Sequence, residues 1–81
     1  MNKVELYAYT YDKEADTYNI NTKPIHVFKN MSEFEEISGI YAMTYFMQHP
    51  LRNLGFCYCY KGQDILDKEY LKIASYGFME E

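Results

Sequence analysis

Tryptophan is absent from this chain of 81 residues, cysteine and proline occur twice each, and glycine four times. So little proline and glycine excludes a collagen-like or low-complexity polymer, and no internal repeat or biased tract is visible. The two cysteines, Cys57 and Cys59, are separated by one residue. In a strand both thiols would point to one face with their Cβ atoms too far apart for a disulfide. A small secreted scaffold would carry four or more spaced cysteines. Glu5 interrupts the opening residues and no apolar stretch follows Lys3, so no secretory leader is expected. These absences together predict a reducing, cytoplasmic setting.

Positive charge is scarce and dispersed. Eight Lys and Arg stand against 12 Asp and Glu, for a net charge of -4, and the basic residues never cluster. Without a basic groove, nucleic acid is not the expected partner. Long apolar runs are missing too. The longest stretch without a formal charge, Ile37 to Leu51, includes Gly39, Gln48, His49 and Pro50, short of the roughly 20 apolar residues that cross a bilayer. Walker-type and dinucleotide-binding glycine patterns are absent.

The chain is instead rich in tyrosine, with 10 among its hydrophobic residues. The aliphatic core is therefore thin and has a large aromatic supplement, enough to lift the chain out of the disordered class. One domain spanning residues 1–81 is all this length supports.

Lys3 to Tyr11 alternates. Val4, Leu6 and Ala8 fall on one face and Glu5, Tyr7, Tyr9 and Tyr11 on the other, as in a half-buried strand. Asp12 to Asp16 reads as a hairpin loop. Strand character resumes over Thr17 to Lys29, but its apolar residues change phase, Tyr18 and Ile20 being even and Ile25 and Val27 odd. Pro24 cannot donate to a ladder, so a bulge or break is expected near Lys23-Pro24 on an edge strand. Ser32-Glu33-Phe34-Glu35 fits a capping box. Phe34, Ile37, Tyr41, Thr44 and Tyr45 follow at helical spacing, with Ile40, Met43, Phe46 and Met47 widening the stripe. Pro50 should stop that helix near Gln48.

Leu54 to Tyr60 alternates again, with Leu54, Phe56, Tyr58 and Tyr60 against Gly55, Cys57 and Cys59. Lys61-Gly62 supplies a turn. A last helix is predicted from Asp64 or Asp67 to Tyr76, its inner stripe Leu66, Tyr70, Ile73 and Ala74. Gly77 would be its C-terminal cap, with Phe78 folding back on Ile73; an alternative adds a short strand at Gln63 to Leu66 before a shorter helix. The resulting architecture is α+β: a small two-layer sandwich of order β-β(-β)-α-β-α, a mostly antiparallel sheet of 3–4 strands with two helices on one face.

In such a sandwich the uncovered sheet face is where function would reside. Placing the smaller residues of both alternating strands (Val4, Leu6, Ala8; Gly55, Cys57, Cys59) under the helices turns Tyr7, Tyr9, Tyr11, Phe56, Tyr58 and Tyr60 outward, fringed by Glu5, Asp12 and Glu14. Tyrosine-rich surfaces of this kind serve as interface hot spots. The acidic rim would steer a basic partner. The same rings have a plainer explanation, since tyrosine favours pleated surfaces whatever its role.

Catalytic constellations are not evident. C-x-C inside a strand with two distant histidines, His26 and His49, does not match zinc-ligand spacing. A thioredoxin-type C-x-x-C is lacking, and no oxyanion loop or orienting residue accompanies Cys57 with His49. The expectation is a small, non-catalytic protein-binding module without cofactor or metal. Its composition is compatible with accessory proteins of phages and mobile elements that inhibit a larger host protein by covering a surface. The alternative is a binder of a nucleotide or aromatic metabolite, its pocket formed by the rings in a homodimer.

Overall fold

The computed structural model describes residues 2–79. It contains five strands and one α-helix: β1 (Val4–Asp12), β2 (Thr17–Ile20), β3 (His26–Phe28), α1 (Met31–Gln48), β4 (Leu54–Tyr60) and β5 (Lys72–Ala74), followed by a 3₁₀ turn at Gly77–Met79. All pairings are antiparallel. The strand order is β2-β1-β4-β5, and β3 joins the same edge of β1 as β2. The architecture is α+β with the sheet dominant, so the expected arrangement of two helices on a sheet of 3–4 strands is corrected to one helix and five strands.

The last helix is the element that fails. The Asp64 carboxylate accepts from the Leu66 amide at 3.0 Å and the Asp67 carboxylate from the Glu69 amide at 2.9 Å, two side-chain turns in succession. These turns hold residues 64–71 as irregular chain. Lys72–Ala74 then pairs with Tyr58, Cys57 and Phe56. Over so short a segment the spacing of Leu71, Ile73 and Ala74 satisfies a strand as readily as a helix, and the open edge of β4 decides between them. Gly77 is accordingly no helix cap. Phe78 packs near Phe46, Phe56 and Tyr76, with ring centroids 5.8, 6.4 and 5.7 Å away, and not on Ile73.

β1 and β2 form a hairpin whose loop is organised by Asp12, which accepts from the amides of Glu14 and Ala15. Asp16 closes the loop with a φ of 53°, a left-handed conformation that aspartate tolerates. The phase change falls in the β2–β3 connection. The Asn21 and Ile25 amides both return to β1, at the carbonyls of Ala8 and Leu6, while Thr22, Lys23 and Pro24 loop out between them. This excursion reverses the parity. Ile20 opposes Tyr9 on one face, whereas His26 opposes Leu6 on the other. Phe28 is thereby buried beneath the helix and Val27 is left exposed.

α1 starts two residues before the expected box. Asn30 is the N-cap, accepting from the Glu33 amide at 2.9 Å, and the Glu33 carboxylate reaches back to the Lys29 amide at 3.0 Å. At the other end the His49 amide bonds to the Tyr45 and Phe46 carbonyls, and Pro50 prevents another turn. The helix buries Phe34, Ser38 and Ala42, four residues apart. Ser38 is a buried hydroxyl satisfied by the Tyr76 hydroxyl at 2.9 Å. Ile40, Met43 and Met47 do not widen the buried stripe; they face outward.

The main core lies between α1 and the sheet. Val4, Leu6, Ala8, Phe28, Phe34, Ala42, Leu54 and Phe56 are buried there. Phe28 meets Phe34 and Tyr41 edge to face, each with centroids 5.3 Å apart. Each buried phenylalanine contributes roughly 1.5–3 kcal/mol through area removed from water.

Candidate functional site

The register of β1 against β4 determines what the second sheet face contains. Tyr7 opposes Cys57, Glu5 opposes Cys59 and Tyr9 opposes Gly55. Directly opposed residues of an antiparallel pair project to the same side. The tyrosines of β1 therefore share a face with the thiols, and Val4, Leu6 and Ala8 share the helix side with Tyr60, Tyr58 and Phe56. The expected outward placement of Phe56, Tyr58 and Tyr60, and of Cys57 and Cys59 beneath the helices, is corrected by this register. Tyr58 lies against Phe34 with centroids 4.5 Å apart, and both rings pack on the helix-side core. Tyr7, Tyr9 and Tyr11 do turn away from the helix.

That face is only partly open. Tyr7, Cys57, Cys59 and Ile65 form a second, smaller core, flanked by Tyr9, Ile20 and Leu71. The irregular chain after Gly62 covers it. Gly62 makes the necessary turn with a φ of 97°, and Ile65 is pressed down onto the thiols. Tyr7 is buried, and its hydroxyl donates to Glu5 at 2.9 Å. Burial first, and the Glu5 carboxylate second, push its ionisation well above the ordinary phenol range. Burial, with the neighbouring Cys59 thiol, raises the Cys57 pKa from 9.0 to about 12. The Cys59 thiol, also raised by burial, lies 3.8 Å from the Gln63 carbonyl. At neutral pH both are protonated, inert fillers of a small core.

Toward the hairpin the covering chain draws aside and leaves a groove of about 480 Å³. Tyr9, Tyr18 and Ile20 line it from β1 and β2, and Leu66, Leu71 and Ile73 from the covering chain and β5; Asp16 and Lys68 stand at its margins. Tyr18, Leu66 and Ile73 are 63%, 62% and 56% exposed. The floor depends on a glycine: any Cβ on Gly55 would overlap the Tyr9 ring lying across it. Tyr18 braces the wall, with centroids 5.6 Å from Tyr9 and 4.8 Å from Tyr11. The Tyr11 hydroxyl donates to Asp16 at 2.7 Å, and that bond raises the phenol's pKa.

The structure thus disperses the residues singled out from sequence. Tyr9 lines the groove, Tyr11 stands behind its wall, and Asp12 and Glu14 are exposed in the adjacent hairpin loop. Tyr7 belongs to the small core, Glu5 accepts from its hydroxyl at a half-buried position, and Tyr58 and Tyr60 lie on the far side of the sheet. Sequence reasoning missed Tyr18, Ile20, Leu66, Leu71 and Ile73. The available signal was the pair Asp64 and Asp67, whose side chains favour turns over helix interior.

The sulfur and imidazole groups are not brought together. His26 stacks on Tyr41 at 4.0 Å and His49 on Tyr45 at 4.4 Å, both on the helix side, whereas the thiols occupy the other face. Among the described residues no group of three or more His, Cys, Asp or Glu is arranged to hold a metal ion. No helix among them is long and apolar enough to cross a membrane. Comparison with protein-family models, with curated proteins and with solved structures gives no match.

Proposed function

We propose that the protein is a non-catalytic binding module that receives apolar side chains of a protein partner in the groove between β2 and the 66–73 segment. The observation carrying this reading is the concentration of large apolar side chains around one concave site, three of them, Tyr18, Leu66 and Ile73, more than half exposed. Contiguous exposed apolar surface marks interaction sites far more often than scattered residues do. The neighbouring hairpin adds Asp12, Glu14 and Asp16, which favour a partner carrying Lys or Arg beside its apolar anchor. Occupying such a partner's surface is the simplest way this module inhibits it. Two free thiols, Cys57 and Cys59, fit a reducing compartment, and we place the protein in the cytoplasm on that basis.

Selection from a displayed peptide library tests the reading. Ligands should combine an aliphatic or aromatic residue with neighbouring Lys or Arg, and should shift the amide resonances of Tyr9, Tyr18, Ile20 and Ile73. Ile73→Ser, at an exposed position, should weaken them at least about tenfold. Selected ligands that perturb only the helix side, or that bind the variant equally well, would sink it.

A small-ligand reading keeps one specific support. A volume of about 480 Å³ with mostly apolar walls lies within the range of metabolite sites. Native mass spectrometry of the protein after dialysis against a metabolite mixture separates the two: a retained compound displaced by Ile73→Ser favours the ligand.

A further inference from the structure

We propose that Lys3, Lys29 and Lys61 form a binding site for a compact oxyanion of the di- or triphosphate class, inorganic or carried by a nucleotide. These lysines are remote in the sequence, and the sheet aligns them. Val4 opposes Phe28 on one side and Tyr60 on the other. One step further out, Lys3 therefore lies between Lys29 and Lys61, and the Lys61 amide donates to the Lys3 carbonyl at 2.8 Å. All three are exposed and line one concavity of about 450 Å³, together with Val27, Phe28 and Glu33. Three of the eight basic residues thus meet at one end of β1, opposite the end that carries the acidic hairpin and the groove.

Without a counter-ion the row is unfavourable, because like charges on directly opposed strand residues destabilise a sheet. Lysines that keep an outer strand from pairing with other chains would account for Lys29, beside β3, but not for Lys3 on the inner strand β1. Glu33 offsets only part of the charge. One of its oxygens accepts from the Lys29 amide at 3.0 Å, and three lysines against this one carboxylate leave two positive charges in excess. Neighbouring strands are about 4.8 Å apart, so the row spans about 10 Å, a length that favours linked phosphates over a single small anion. Lysine suits such a ligand, supplying a point charge on a flexible stem. The net charge of -4 repels an extended polyanion from the surrounding surface, which selects a compact ligand over a nucleic-acid strand.

Titration of the full chain with inorganic triphosphate, followed by amide resonances in about 20 mM salt without divalent cations, tests this. The resonances of Lys3, Val27, Lys29 and Lys61 should shift together with a dissociation constant below about 1 mM. In about 0.5 M salt the shifts should vanish. Lys3→Gln, Lys29→Gln and Lys61→Gln should each weaken binding about threefold, and the triple variant should abolish it. Lys13→Gln and Lys68→Gln, outside the row, should leave it unchanged. Glu33→Gln keeps an acceptor for the Lys29 amide while removing the opposing charge, and should tighten binding about threefold. Adenosine triphosphate binding more tightly than inorganic triphosphate assigns the site to a nucleotide; equal or weaker binding assigns it to the free anion. The proposal is overturned by resonances that stay still at about 10 mM triphosphate, by row variants that bind as well as the natural chain, or by Glu33→Gln binding no more tightly. A single-stranded oligonucleotide without terminal phosphates that binds more tightly than triphosphate overturns it in favour of a nucleic-acid contact.

Discussion

The two faces of the sheet are covered by different means. On one side an 18-residue helix adds Phe34 and Ala42 to six buried apolar residues of the sheet side, and its backbone hydrogen bonds are satisfied internally. On the other side a length of irregular chain adds Ile65 to three, Tyr7 and the two thiols, and its amides are satisfied by Asp64 and Asp67 one turn at a time. A helix presents a continuous stripe and can close a face completely. A loop covers only where its few apolar residues reach, and here Ile65 and Leu71 reach the thiols but not the hairpin end. The groove is the part of the sheet that this cover leaves open. Stability should therefore reside on the helix side and binding on the loop side.

The largest expected effect tests the first half of that division. Phe56→Ala removes a fully buried ring and should cost about 3–5 kcal/mol in urea denaturation, close to the whole stability of a small domain. Tyr18→Ser, on the exposed groove wall, should cost no more than about 0.5 kcal/mol. Equal costs would erase the distinction between the faces.

Gly55→Ala probes the loop side from beneath. The added methyl must displace the Tyr9 ring, and overpacking of this kind costs about 1–3 kcal/mol. Pairing it with Tyr9→Ala should recover much of that stability but not the groove. If the single variant is as stable as the natural protein, Tyr9 does not lie across this position.

Alkali should strain the buried thiols and phenols, most of which lie on the loop side, with Tyr76 on the helix side. Cys57 ionises near 9.0 when unfolded and at about 12 when folded, so between those values the folded state holds more protons than the unfolded state. Stability is then fully present below about pH 9 and falls as pH rises toward 12. Tyr7, Tyr9 and Cys59 shift in the same direction. Replacing Cys57 with Ala should flatten the decline of the thermal midpoint above pH 9, and an unchanged slope would show that the thiol is not sealed.

The smallest effect separates the two possible helix starts. Asn30→Ala should cost about 1 kcal/mol and Ser32→Ala only a few tenths, because Asn30 caps the Glu33 amide. The reverse order would move the helix start to the position that sequence spacing alone suggests.

Much of the local structure was legible in advance. The alternation of β1 and β4, the break around Pro24, the turn at Gly62 and the end of α1 at Gln48 each follow from residues a few positions apart. The cap was misplaced because Asn30 and Ser32 both precede a glutamate by three residues, and the choice between them depends on where the chain leaves β3. The candidate site was less legible. Of its groove, only Tyr9 came from the pattern. Tyr58 and Tyr60 were assigned to the wrong face because alternation separates the two faces within a strand but does not say which set of a neighbouring strand joins each.

By itself the sequence determined the strands β1 and β4 and the end of α1, that the chain is acidic and tyrosine-rich, and that no regular metal or nucleotide motif is present, since all of these are properties of composition and short spacing. Only the tertiary structure decided the register that puts Tyr7 beside Cys57, the conversion of the last expected helix into a covering loop and an edge strand, and hence the groove. The reason is physical. Strand pairing joins residues distant in the chain, and a shift of one position exchanges the faces. The short segment after Gly62 adopts whichever conformation covers the sheet edge and the thiols it meets.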